Sequence, residues 1–142
     1  MESNRSLSIF ILDDNPFCGT ITEQYVRTLG YTNVTLFTEA EVCLSQLTKK
    51  PDIIFLDCQV RACDCIDTVR KIGRINPHIY LVVLADQENI ETVRQSRKYG
   101  AFDCIVKGND DLQKIDDVLK KIQQVMALLE LRPPTSSTSS KS

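Results

Sequence analysis

The chain has 142 residues, 42% of them hydrophobic, with a formal net charge of -2 and a pI of about 5.4. That is enough for one domain with one real core, and it carries no basic footprint for nucleic acid. Residues Met1 to Ser6 show no signal-peptide pattern, and the longest apolar run, Ile79 to Ala85, is far too short to span a bilayer. A cytoplasmic protein with no membrane segment and no direct nucleic-acid contact is the expectation.

Ser8 to Leu12 reads as an apolar strand that ends in Asp13 and Asp14. Asn15-Pro16 then starts a helix, with Asn15 as N-cap and proline in the first helical position. Phe17, Ile21 and Tyr25 fall four apart on one face, and Leu29-Gly30 closes the helix. Val34 to Phe37 predicts a short second strand. Thr38 and Glu41, three apart, have the spacing of a capping box for the second helix, which Lys49-Lys50-Pro51 ends. Ile53 to Asp57 is the third strand, four apolar residues closed by a carboxylate. A short continuous apolar run of this kind suits a strand buried on both faces.

The stretch Cys58 to Cys65 has no strong period and reads as a loop. Ile66, Val69, Ile72 and Ile75 mark a third helix that tolerates Gly73 and stops at Asn76-Pro77. Ile79 to Leu84 is a fourth strand. Ile90, Val93 and Tyr99 outline a fourth helix ended by Gly100, and Phe102 to Val106 is a fifth strand followed by Lys107-Gly108. The last helix starts near Asn109 or Asp110 and runs to about Leu131, where Pro133-Pro134 breaks it. Residues 1–131 are therefore expected to form the domain, and 132–142 a polar, disordered tail.

Six cysteines without a secretory signal are expected as reduced thiols. None forms a C-x-x-C pair, and Cys63-Asp64-Cys65 alone cannot complete a tetrahedral zinc site. Most read as small hydrophobes; a redox or metal role for Cys58, Cys63 and Cys65 stays open. The single histidine, His78, has no obvious partner.

Strands alternating with helices, each connection long enough for a crossover, predict an α/β fold: a three-layer, doubly wound, five-stranded parallel sheet. The simplest arrangement is the flavodoxin-like order 2-1-3-4-5. In that order strands one and three are neighbours at the switch point, where open α/β sheets bind ligands. Asp13, Asp14 and Asp57 then converge, with Lys107 arriving on the same face. Each has a plainer reading alone: a turn, a helix cap, a solvated lysine. Together at matching strand ends they make coincidence a weaker account. Three close carboxylates are tolerable around a cation, and all-oxygen ligands suit a hard ion such as Mg²⁺. Asp57 can then act as nucleophile toward a phosphoryl group, and Lys107 as a point charge for its oxygens.

Leu12-Asp13-Asp14, Leu56-Asp57, and Gly100-Ala101 followed by Val106-Lys107 resemble the receiver domain of two-component response regulators, of the chemotaxis-regulator type. The resemblance covers about Ser8 to Leu129. It implies that Asp57 takes a phosphoryl group from a histidine kinase or histidine phosphotransfer protein. It implies Mg²⁺ held by Asp14 and Asp57, with Asp13 assisting through water, and Lys107 touching the phosphorylated aspartate. It also implies slow self-hydrolysis, with Gln59 and Gln87 near the attacking water.

Departures from the family pattern are equally legible. Ala85 stands where Thr or Ser is usual, Cys104 where Tyr or Phe is usual, and Gly108 where proline usually follows the lysine. The acceptor chemistry is intact while the switch positions, Ala85 and Cys104, are altered. A phosphorylation-independent interaction module is therefore the alternative to a phosphoacceptor. A hydrolase is more distant, because no general acid stands beside Asp57; the chain is not read as an enzyme. Leu112, Ile115, Leu119, Ile122, Met126 and Leu129 form a heptad seam on the last helix, with Val118, Val125 and Leu128 widening it. Its second half leaves room for a homodimer. Only 11 residues follow Leu131, so no effector domain is expected there.

Overall fold

A computed structural model of the chain describes residues 6–58 and 62–131. The tail expected over 132–142 and Gln59 lie outside the described residues. The strands are β1 (Ile9–Leu12), β2 (Val34–Phe37), β3 (Ile53–Cys58), β4 (Tyr80–Ala85) and β5 (Asp103–Val106). They pair in parallel as one five-stranded sheet, ordered β2-β1-β3-β4-β5. The connections carry helices α1 (Pro16–Thr28), α2 (Ala40–Ser45), α3 (Ala62–Ile75), α4 (Ile90–Lys98) and α5 (Asp111–Glu130). This is the predicted flavodoxin-like order. Its central strands are apolar at nearly every position because both faces are covered: β1 and residues 53–56 of β3 are buried throughout.

Alternation along the strands splits the core in two. Ile9, Ile53, Phe55 and Val82 meet Val26 of α1 and Ile115, Leu119 and Ile122 of α5 on one face. Phe10, Ile54, Leu56 and Val83 meet Cys43 of α2 and Val69 and Ile72 of α3 on the other. Register then aligns the strand ends. Leu12 pairs with Leu56, Cys58 with Ala85, and Ala85 with Val106. Asp13, Asp57 and Lys107 are thereby delivered to one edge of the sheet.

Asn15 caps α1 as expected, its side-chain oxygen accepting from the Phe17 and Cys18 N–H groups. The helix faces differ from the sequence reading in three places. Phe17 is 73% exposed and Ile21 44% exposed; α1 buries Gly19 and Val26 instead. A Cβ on Gly19 would lie 2.7 Å from Leu36 Cδ1, so the missing side chain is what lets α1 approach β2. The Thr38–Glu41 capping box does not form: α2 starts at Ala40, with Glu39 in the cap position and no side-chain cap bond. The short helix gives way to a 3₁₀ turn at Leu47–Lys49, and Cys43 and Leu47 anchor it in the core. On α4 the buried residues are Thr92 and Ser96, while Ile90 is exposed. Polar side chains face inward there because Ser96 donates to the Val93 carbonyl at 2.8 Å, which satisfies its hydroxyl.

Candidate functional site

Asp57 is the penultimate residue of β3 and pairs in register with Leu84. Lys107 follows β5 directly, and its N–H donates to the Ala85 carbonyl at 2.8 Å, extending the ladder by one bond. From there its ammonium reaches across the end of β4 and sits 2.5 Å from Asp57 Oδ2. Both side chains are largely buried, at 18% and 8% exposure. The second carboxylate oxygen, Oδ1, is enclosed and has no hydrogen-bond partner among the described residues. Burial pushes the Asp57 carboxyl up from 3.8 to about 7; Lys107 pulls it down, and the neighbouring Asp13 pushes it up again. The close ion pair and the raised value agree once burial is recognised as the larger effect.

Asp13 leaves the end of β1 and is 2% exposed. Its N–H donates to the Phe37 carbonyl at 3.0 Å, and its Oδ1 accepts from the Asn15 N–H at 2.9 Å. That turn fixes the carboxylate beside Asp57. Asp14 is exposed. Asp13 and Asp57 are thus neighbours at this edge of the sheet, and the exposed Asp14 follows Asp13 in the chain. Among the described residues no three His, Cys, Asp or Glu side chains form a cation cage.

An enclosed carboxylate oxygen without a partner, beside a second carboxylate, is a donor set of hard oxygens with charge to spare. It fits Mg²⁺, which keeps several waters and takes only one or two carboxylates from a protein. Ca²⁺, with six to eight oxygen ligands, fits it less well.

Residues 9–123 match the response regulator receiver domain. The chain belongs to that family. Receiver domains are the input modules of two-component response regulators, and this one shares 28% identity over 116 residues with the transcriptional regulatory protein ZraR of Salmonella typhimurium. The match takes in 81% of this chain and 26% of that relative, so the chain spans about a quarter of its length. It is 26% identical over 100 residues to the chemotaxis protein CheY of Thermotoga maritima, covering 70% of this chain and 83% of that one. Among solved structures, a receiver domain protein from Clostridium thermocellum superposes with a TM-score of 0.77 at 19% identity, covering 87% of this chain and 98% of that one. A CheY-like receiver protein from Methanospirillum hungatei gives 0.69 at 21%, covering 84% and 98%. At those identities the structures speak for the fold alone. No helix among the described residues is long and apolar enough to cross a membrane.

The two positions expected from the sequence to be altered switch positions, Ala85 and Cys104, have clear surroundings. Ala85 is fully buried. Cys104 Sγ lies 3.0 Å from Ser96 Oγ and 3.7 Å from the Val93 carbonyl, so the thiol is held against α4. Gln87 is exposed in the 3₁₀ turn Gln87–Asn89. A Cβ on Gly108 would stand 3.2 Å from Gln87 Nε2, which places the Gln87 amide over the segment that follows Lys107.

One feature of the site corrects the expectation of reduced thiols. Cys58 and Cys65 are joined by a disulfide, Cα to Cα 5.4 Å. Their separation of seven residues fits no common motif, so pattern matching passes over it. The usable signal was positional: one cysteine ends a strand and the other stands in the first turns of the helix that follows. Cys18, Cys43 and Cys104 are free; burial pushes the Cys43 thiol up to about 11, which leaves it inert.

Proposed function

We propose that this receiver accepts a phosphoryl group on Asp57 from the phosphohistidine of a histidine kinase or a histidine phosphotransfer protein, in the cytoplasm. The receiver unit is taken as residues 1–131. The observation that carries the reading is the Lys107–Asp57 pair at 2.5 Å, with Asp57 Oδ1 enclosed and unpartnered beside Asp13. A phosphorylation-independent interaction module would have no use for a buried carboxylate poised in this way.

A carboxylate oxygen of Asp57 attacks phosphorus, an acyl phosphate forms, and the P–N bond to imidazole breaks. The imidazole leaves with a proton from solvent. Lys107 moves from Oδ2 to the phosphoryl oxygens it can already reach, so the charge it balances in the resting state becomes the charge it balances in the product. Asp13, Asp14 and Asp57 would hold Mg²⁺, which when bound would neutralise charge on carboxylate and phosphoryl oxygens. The family resemblance gives Gln59 and Gln87 the role of tuning the later hydrolysis of the acyl phosphate. The receiver acts as acceptor and switch rather than as an enzyme turning over a substrate.

Incubation with acetyl phosphate and Mg²⁺, followed by intact-mass and peptide spectrometry, tests the reading. One phosphoryl adduct on Asp57 is expected, dependent on the divalent ion and absent in Asp57→Asn. Undiminished, metal-independent labelling of that variant would sink it. A second copy of the chain is the proposed occupant of the C-terminal part of α5, where Leu128, Leu129 and Leu131 are exposed.

A further inference from the structure

Cys58 follows Asp57 directly, and its side chain goes to the opposite face of the sheet, because successive strand residues alternate. There it joins the cluster of Leu56, Val69 and Val83. Cys65 meets it from α3, and their Cα separation of 5.4 Å lies within the span of a disulfide. Both residues are buried, at 5% and 6% exposure. In register Cys58 stands beside Ala85.

We propose that Cys58 and Cys65 form a reversible thiol–disulfide site that controls phosphoryl loading of Asp57, the disulfide being the slow-loading form. The control rests on the reading of Asp57 as acceptor; the redox site does not. The bond ties the residue next to the acceptor to α3, so the end of β3 cannot shift without carrying the helix with it. In this bonded form Asp57 Oδ1 is enclosed and Oδ2 is on Lys107. In-line attack needs a carboxylate oxygen presented to the donor, and positional error near the reacting atoms is costly. Reduction frees the end of β3 to make that adjustment. The fold does not depend on the bond, because Val69 and Ile72, at 0% and 1% exposure, still anchor α3.

The chemistry balances with a low-molecular-weight disulfide as oxidant. One protein thiolate attacks it, forming a mixed disulfide and releasing one thiol. The second protein thiolate attacks the protein sulfur of that mixed disulfide and releases the other thiol. Two protein thiols and one small disulfide become one protein disulfide and two small thiols; a dithiol reductant reverses the exchange.

The experiment equilibrates the full chain in oxidised or reduced glutathione, quenches, alkylates and maps peptides, with Cys63→Ser as background to exclude pairing by that residue. Each form is then loaded with acetyl phosphate and Mg²⁺, and the initial rate of Asp57 phosphorylation is read by mass spectrometry. A linked Cys58–Cys65 peptide only in the oxidised sample is expected, with loading slower by about tenfold. Cys65→Ser should load at the reduced rate in both buffers, and circular dichroism should show its fold retained. Failure to find the linked peptide in any buffer overturns the site. Equal loading of the two forms overturns the control while leaving the acceptor reading intact. Absence of label in both forms overturns the acceptor reading and the control with it, and the peptide map then reports on the redox site alone.

Discussion

Two carboxylates in this chain are displaced in opposite directions, and each makes a test. Asp57 is raised to about 7, by burial first. The folded protein therefore holds this proton more tightly than the unfolded chain does. The associated stability is fully present below the unfolded value of 3.8 and is lost as pH rises to and past about 7. Without divalent cations the melting temperature should be higher at about pH 5 than at about pH 8. Asp57→Asn should flatten that dependence and stabilise the protein at about pH 8 by about 1–3 kcal/mol. Mg²⁺ should raise the melting temperature at the higher pH and not at the lower. A wild-type melting temperature that rises with pH in the absence of metal would contradict the burial account. Asp103 behaves the other way. Burial pushes it up, but Lys121, the Cys104 N–H and Arg97 outweigh burial and leave it lowered. Lys121 lies at 2.6 Å and Arg97 at 3.0 Å. This contribution is present above the unfolded value and is lost as pH falls through the folded one. Both cations are more than half exposed, so Asp103→Asn should cost only about 1 kcal/mol at neutral pH, measured by urea unfolding.

Helix α5 changes character along its length. Ile115, Val118, Leu119 and Ile122 are buried against the sheet, whereas Leu128 is 65% and Leu129 49% exposed. Ile122→Ala should cost about 2–4 kcal/mol through lost burial and a residual cavity. Leu128→Glu with Leu129→Glu should change stability by no more than about 0.5 kcal/mol each, as surface substitutions do. If a second copy covers this end, sedimentation should show the double variant losing a dimer that the unchanged protein forms. A monomeric unchanged protein at every concentration would remove the second copy as the occupant. The heptad seam read from the sequence thus holds for the buried half, and its unpartnered remainder was legible because a 20-residue helix outruns a sheet of short strands. Helix faces elsewhere were less legible. Phe17 and Ile21 share a period on α1 and both stand substantially exposed, because the approach is set by Gly19, which has no side chain to show in an apolar pattern. On α4 the inward face is Thr92 and Ser96, invisible to a search for hydrophobic spacing. The predicted capping box failed because α2 begins too late for Thr38 to cap it.

At the scale of the whole molecule, the sheet order and the meeting of Asp57 with Lys107 could be read in advance, because uninterrupted apolar strands and crossover lengths leave few topologies. The Cys58–Cys65 bond could not, since it depends on where α3 begins relative to the end of β3. The same frame bears on how a phosphoryl group would be felt elsewhere. A ligand shifts an equilibrium between two states only through contacts that differ between them. A hydroxyl at position 85 would supply one, worth about 1.5–3 kcal/mol when bonded to a charged group; Ala85 supplies none. Position 104 carries no ring to move, and its thiol is already engaged by Ser96 and the Val93 carbonyl. The contacts left to change are Lys107, Asp13 and the covalent link from Cys58 to α3. Amide chemical shifts with and without Mg²⁺ and a beryllofluoride mimic of the phosphoryl group should therefore move most at residues 13, 14, 57 and 58 and in the first turns of α3. Residues 90–106 and α5 should move little. Reducing the disulfide should weaken the response in α3 and leave that at Asp13 in place. Large shifts throughout α4, β5 and α5 would show that a receiver with Ala85 and Cys104 still drives the far edge of the sheet by another route.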